Sequence, residues 1–357
     1  MYSRSYHFSY VAAITLVLSP ALTVLGLSEA LASAPIINPR RFPGTDRAQA
    51  TNPKTQADTL LEKGIKDHRQ GLFREAIQAF EQALAIRQQL GDKPGIGETL
   101  NNLGEVYGEI GLLPKALAVL QQALVINRDI GARSSTARTL NLMGFINRVA
   151  DNFSEAMKLH QEALELAKTA EDEIEIGESF HNIGAVYGEQ GNYAKAIEFY
   201  QQARTIRTAK GDRRDLGRTL NNMGGVYYNI GDFNRAMEFY QQALAIRREI
   251  ADRAGVGRLL NNMALTSRKL GKDSQALIYF QQAMIMLEAI GDKTSVGRLL
   301  NNMGAIYEGQ GQYAKALESY ERALKNAREG GDKAGETTAM EGIKRLSSGQ
   351  LVPQSGQ

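Results

Sequence analysis

The sequence predicts an all-α protein, an α-solenoid of about seven helix–turn–helix units closed by one C-terminal capping helix. Three observations carry that prediction. The stretch GRLLNNMGAIY at 297–307 recurs as GRTLNNMGGVY from 217, GRLLNNMALTS from 257 and GETLNNLGEVY from 97, with weaker copies ARTLNLMGFIN from 137 and GESFHNIGAVY from 177. The starts are forty residues apart without slippage, and a fixed period of this size marks stacked supersecondary units. Inside each period, apolar residues return every three or four residues, as on one face of a helix.

The period defines units 57–96, 97–136, 137–176, 177–216, 217–256, 257–296 and 297–336, whose residues are numbered here as positions 1 to 40. In unit 217–256, Leu220, Met223, Gly224 and Tyr227 (positions 4, 7, 8 and 11) fall within about 100° of arc. Gly231 can end this first helix in a left-handed cap. A second amphipathic stretch runs from Asn234 to about Glu249, with Ala236, Phe239, Tyr240, Ala243 and Ile246 inward. Asp252 supplies an N-cap for the next first helix, and Asp92, Asp172, Asp212, Asp292 and Asp332 hold the same place.

Glycine recurs at position 8 as Gly64, Gly104, Gly144, Gly184, Gly224 and Gly304, with Ala264 as the exception. A mid-helix glycine costs ~1 kcal/mol against alanine, so its repetition predicts close approach of the paired helix. Alanines at position 20 (Ala76, Ala116, Ala236) and position 27 (Ala83, Ala123) are the expected small partners. Unit one departs from the pattern with Lys63 and Asp67, and unit six with Ala264 and Ser267, so looser register or curvature is expected there. Residues 337–346 read as a lone first helix that covers the open end, as a solenoid requires.

The code of a large apolar residue at 4, Leu/Met-Gly at 7–8, tyrosine at 11, alanine at 20, an aromatic or leucine at 24 and alanine at 27 resembles the tetratricopeptide repeat. The resemblance covers residues 57–336, 280 of the 357. The usual proline near position 32 is missing, and the units have forty residues in place of thirty-four. That looks like the long-repeat subclass of kinesin light chains and the Pins/LGN polarity adaptors; secreted bacterial proteins, notably from cyanobacteria, carry similar arrays. The resemblance implies a right-handed superhelix, first helices lining the concave wall and extended peptides bound in the groove.

The N-terminus reads as a signal peptide over 1–32. Arg4 and His7 begin it, an apolar run spans Val11 to Leu27, and Ala30-Leu31-Ala32 gives an A-x-A cleavage pattern. Export to the periplasm or the exterior is therefore expected. The alternative, an uncleaved membrane anchor, is disfavoured because the run is short for a span of ~20 apolar residues and contains Pro20. Residues 33–56 read as a flexible linker and 347–357 as a disordered tail. The chain has no cysteine, which excludes disulfides, thiol nucleophiles, thiolate metal sites and lipid attachment at a cysteine. Removing 1–32 takes away Arg4 and Glu29, so the net charge stays +3, not the profile of a nucleic-acid binder.

Around the first helix, positions 2, 6, 9 and 13 lie opposite the core face, and position 5 lies on a flank at about 140°. Position 5 is thus expected to meet a neighbouring repeat, and position 6 to face the groove. Position 6 reads Glu62, Asn102, Leu142, Asn182, Asn222, Asn262 and Asn302, and position 2 reads Asp58, Glu98, Arg138, Glu178, Arg218, Arg258 and Arg298. An asparagine amide donates and accepts at once, so a ladder of them suits an extended backbone of any sequence. In the Pins-type adaptors the matching asparagine and arginine positions hold extended peptides. The resemblance carries that role to Asn102, Asn182, Asn222, Asn262 and Asn302, and to Arg218, Arg258 and Arg298. Arg138 stands beside an apolar patch of Leu142, Phe145 and Val149, where Phe145 is the expected anchor. Acids crowd the wall of units one, two and four (Asp58, Glu62, Glu98, Glu105, Glu109, Glu178, Glu189), and bases that of units five to seven (Arg218, Arg258, Lys269, Arg298). A partner segment acidic toward the C-terminal half would match that polarity.

The chain after residue 32 keeps His68, His160 and His181, and no two share a metal-ligand spacing. His160 falls at position 24 among aromatics and leucine, a packing place. No Walker loop, nucleophile elbow or dinucleotide fingerprint occurs. The expectation is a non-enzymatic adaptor with no cofactor and no metal, binding a protein or peptide in its groove, with no nucleic-acid partner and no membrane contact in the mature form. The alternative is a structural or self-associating scaffold that uses its convex face or ends.

Overall fold

The computed structural model describes residues 52–348. The expected signal peptide, most of the expected linker and nearly all of the expected tail lie outside the described residues. Every regular element among the described residues is an α-helix. The first helices of the units are α1 (Pro53–Arg69), α3 (Lys93–Glu109), α5 (Arg133–Val149), α7 (Glu173–Glu189), α9 (Arg213–Ile230), α11 (Arg253–Lys269) and α13 (Lys293–Gly309). The second helices are α2 (Phe73–Leu90), α4 (Leu113–Asp129), α6 (Phe153–Thr169), α8 (Tyr193–Lys210), α10 (Phe233–Glu249), α12 (Asp273–Glu288) and α14 (Tyr313–Gly330), and α15 (Lys333–Ser347) follows alone.

The first helices begin four residues before the frame read from the sequence. The cap decides this. Asp92, Asp172, Asp212, Asp252 and Asp292 each accept a backbone N–H from the first turn, and the helix starts at the next residue. Pro53 opens α1 behind Asn52, whose side chain accepts from Lys54 N, so 53–56 belong to the solenoid and not to the linker. The capping helix likewise starts at Lys333, four residues before the expected 337. Gly231 ends α9 with φ 90°, in the left-handed region.

Each first helix packs most extensively on its own second helix, and each unit on the next. Successive first helices also touch one another, while second helices make no comparable contact among themselves. The first helices therefore crowd along the inside of the curve and the second helices splay on its outside. Direct contact between these inner helices is strongest along α3–α5–α7 and between α13 and α15, and thin along α7–α9–α11; the α12–α13 junction is the thinnest between units. Unit six, whose first helix lacks the glycine and the tyrosine, sits at this thin stretch.

The recurrent glycine has a different partner from the expected alanines. The alanines at positions 20 and 27 are fully buried, but what lies over the glycine is the large side chain at position 24. A Cβ on Gly104 would sit 2.5 Å from Leu120, one on Gly224 2.5 Å from Tyr240, and one on Gly304 2.8 Å from Tyr320. The missing side chain is the room that the ring occupies.

A second device ties the hairpin at its other side. Where position 11 is tyrosine, position 19 is a cation lying over its ring: Lys115 on Tyr107 at 5.9 Å, Lys195 on Tyr187 at 4.9 Å, Arg235 on Tyr227 at 5.6 Å and Lys315 on Tyr307 at 5.6 Å. The units without the tyrosine pair Asp67 with Glu75, Asn147 with Glu155 and Ser267 with Gln275 at the same two places, so ring and cation come and go together.

Gly224→Ala should lower stability by about 2 kcal/mol, the usual cost of overpacking a close contact less the gain in helix propensity. Urea denaturation followed by circular dichroism measures it; an unchanged midpoint would mean that Tyr240 can move aside.

Candidate partner-binding wall

Position 5 forms a polar seam between first helices in units two to five and in unit seven. Asn101 accepts from Thr139 Oγ1 at 2.8 Å, Asn141 Nδ2 donates to Ser179 Oγ at 2.9 Å, and His181 Nδ1 meets Thr219 Oγ1 at 3.2 Å. Asn221 accepts from Asn262 Nδ2 at 3.0 Å, and Asn301 Nδ2 donates to Gly335 O at 2.9 Å. Each bond crosses to the next unit, where a half-satisfied amide would otherwise be stranded between helices.

Position 6 is less open than its angle suggests. Asn102 and Asn182 are each 5% exposed and Asn262 is 7% exposed, so these three do not stand on a free face. The reason is the crowding of first helices on the inside of the curve, which brings the neighbouring helix across the flank. Asn102 accepts from Arg138 at 2.9 Å, and Asn182 donates to Glu178 at 3.1 Å. Asn222 and Asn302 are half-buried. Asn222 meets His181 Nε2 at 3.3 Å, whereas Asn302 forms no hydrogen bond among the described residues.

The expected charge polarity is largely spent inside the wall. Asp58 and Glu98 bind Arg87 at 2.8 and 3.2 Å, Glu105 binds Arg138 at 3.2 Å, and Glu189 pairs with Arg148. Glu178 holds both Arg207, at 2.6 Å, and Arg218. Arg298 donates to Asp332 at 2.7 Å yet is exposed, and Arg258 is half-buried. Phe145 is half-buried, with the Arg148 guanidinium 5.2 Å over its ring. The structure thus brings Arg138 to Asn102 and Arg218 to Glu178, and leaves Arg298 and Asn302 as the most accessible pair of the ladder.

Sequence reasoning missed position 31. Arg87 and Arg207 are buried there; Arg87 donates to Gly95 O at 2.7 Å and Thr99 at 2.9 Å, and Arg207 to Asp215 O at 3.1 Å and to Thr219. Asn127 donates to Thr139 at 3.1 Å. The partner is a threonine at position 3 of the next unit. Where position 3 is Leu259, the position-31 arginine, Arg247, turns to Asp252 instead. The repeat-by-repeat pairing of these residue types was readable as a pattern, but an arginine at helical spacing reads as surface.

It also missed one cluster. His68 Nε2 lies 2.9 Å from Glu109, with Glu105 close enough that one ligand atom from each lies within 4.8 Å of the others. Burial pulls His68 down, but the hydrogen bond and charge of Glu109, with the charge of Glu105, outweigh it and hold the imidazole above its ordinary value. A divalent cation fits that donor set, but Glu105 also serves Arg138, and the trio is complete as an ion-pair cluster. In the middle of the seam, burial and the nearby Glu178 push Glu175 up to about 7, against the hydrogen bond from Asn141. Burial, with Arg148 nearby, pulls His160 down to about 3, and burial with Arg218 and Arg207 holds His181 well below its ordinary value.

The tetratricopeptide repeat pattern matches residues 55–129, 135–209, 175–249, 215–289 and 255–329. No curated protein matches the chain in sequence. Among solved structures, the apo form of RapI is 19% identical, covers 76% of this chain and 97% of its own length, and superposes with a TM-score of 0.56. The Rap conjugation gene regulator of plasmid pLS20, in complex with the Phr* peptide, is 17% identical with a TM-score of 0.58, covering 84% and 77%. Aspartyl phosphate phosphatase F from Bacillus subtilis is 16% identical with a TM-score of 0.56, covering 77% and 70%. These likenesses show the fold.

The buried histidines set an acid limit. Below an unfolded value near 6.5 the unfolded chain gains protons that His160 and His181 do not, so stability falls as pH drops from there toward about 3. His160→Phe, the residue type of units one and six at that position, should change little at pH 7.5 and gain about 2 kcal/mol over the parent at pH 5. Urea denaturation at the two pH values checks it; equal shifts at both would mean that His160 titrates normally.

Proposed function

From the premise that this chain belongs to the tetratricopeptide repeat family, we propose that it is a protein-interaction scaffold that holds an extended segment of a partner on its concave wall. The observation that carries the reading is the state of Asn302 and Arg298. They sit one helical turn apart on α13, on the inner layer. Asn302 has its amide uncommitted among the described residues, and Arg298 is exposed with one nitrogen engaged. A half-buried amide with neither its donor nor its acceptor engaged is free to take a ligand. Glu178 holds Arg218, but the exposed cation beside Asn302 is Arg298, so the segment facing that end of the wall is acidic. Phe145 offers apolar contact further along. No cofactor and no catalytic step belong to this reading.

The alternative, a ladder that is purely structural in a self-associating scaffold, draws on Asn102, Asn182 and Asn262, which are buried and bonded within the chain. The wall divides: these three stabilise, while Asn302 and the arginines beside it bind. We also carry the signal-peptide reading of residues 1–32 into this proposal, which makes the partner an exported or extracellular protein.

Asn302→Ala should weaken capture of a native partner from the exported fraction at least tenfold while leaving the melting temperature unchanged. Asn301→Ala should lower stability by about 1 kcal/mol, the worth of one buried hydrogen bond, and leave capture intact. The reverse pattern would make the ladder structural throughout. Export is tested by fractionation and N-terminal sequencing: the mature chain should begin at Ser33, and an intact Met1 in the membrane fraction would establish the anchor instead.

A further inference from the structure

We infer that the junction between the fifth and sixth units holds a second docking site, on the outer layer, for an acidic–aliphatic segment of a partner protein. Between the end of α10, the start of α11 and the middle of α12 lies an open cavity of about 340 Å³. Its floor is apolar: Val256 and Leu260 from α11, Ile285 and Met286 from α12. Ile285 is 59% exposed. Its rim carries Arg248 and Arg253, whose side chains form no hydrogen bond or ion pair among the described residues.

Comparison with the other junctions shows what is unusual. At three other junctions the cation at position 37 reaches an acid at position 33 of the next unit: Lys93 to Asp129 at 2.6 Å, Lys293 to Glu329 at 2.5 Å, and Arg213 to Glu249, whereas for Arg133 that place is Thr169. For Arg253 that place is Ala289. Positions 32 and 26 pair across two other junctions, Arg128 with Glu162 at 2.5 Å and Glu288 with Arg322 at 3.8 Å. For Arg248 the place is Gln282. Arg133 and Lys168 also lack an acid at these places, but only the junction of the fifth and sixth units leaves two such cations without one, and there they frame an exposed isoleucine over an apolar floor.

Two unneutralised guanidinia beside an apolar cleft are complementary to carboxylates next to an aliphatic side chain. The cleft is open and is flanked by the outer helices α10 and α12. An occupant thus keeps most of its bulk outside, as a stretch of polypeptide does and a small amphiphile does not. The site shares no residue with Asn302, Arg298 or the rest of the ladder, so it stands or falls apart from the groove.

The test uses the purified full chain and a fluorescein-labelled octapeptide with two leucines followed by two glutamates, read by fluorescence anisotropy. Saturable binding is expected, weakened at least tenfold by R248E/R253E and equally by Q282E/A289E, which restores the acids of the other junctions. Asn302→Ala should leave it unchanged. Circular dichroism confirms that each variant is folded; should the reversal variant not fold, the acid-restoring pair carries the test. No binding at millimolar peptide, or binding indifferent to both double variants, overturns the site. Binding of octanoate with none of the peptide overturns it in favour of a small amphiphilic anion.

Discussion

The contact between the glycine of one helix and the large side chain of its partner is the constraint on which the solenoid depends. Phe80, Leu120, His160, Tyr200, Tyr240 and Tyr320 each occupy the space that a Cβ at position 8 would take. Packing of this density leaves little slack. It sets the separation inside each hairpin, and the stacked hairpins then present their first helices close together on the inside. Helix propensity is given up at each glycine to obtain that approach.

Crowding on the inside has an electrostatic consequence. Polar side chains at positions 3, 5 and 6 end up between helices rather than in water, and buried polar groups must be bonded. The chain answers with pairs that span the junctions: Asn101 with Thr139, Asn141 with Ser179, His181 with Thr219, and Arg87 or Arg207 with the threonine of the following unit. Where leucine replaces that threonine, as at Leu259, the bond is gone and Arg247 pairs within its own junction. Units six and seven, with Leu259 and Leu299 at that position, therefore rely more on apolar packing. Histidine enters the seam at positions 5 and 24, which makes the middle of the solenoid its most acid-sensitive part.

Function follows from what the seam leaves unused. Most charges that looked available are spent on neighbours, so a ligand meets the few groups that are not. On the inner layer these are Asn302 and the guanidinium nitrogens of Arg298 that Asp332 does not engage; at the junction of the fifth and sixth units they are Arg248 and Arg253. Both sets lie in the last three units, where the polar staples give way to leucine contacts.

The sequence by itself determined the period, the helical hairpin, the aspartate caps and the left-handed turn at Gly231, because these rest on interactions within a few residues or on exact repetition. It also placed position 5 between repeats, since the angle of a side chain on a helix follows from its number. Three things were decided only by the tertiary structure. The partner of the glycine is the residue at position 24, because the crossing of two helices selects it. Asn102, Asn182 and Asn262 are buried, because the curvature of the stack closes a flank that a lone helix leaves open. Arg87 and Arg207 are interior, because their threonine partners lie in another unit, twelve residues on in sequence and visible as partners only once the helices are stacked.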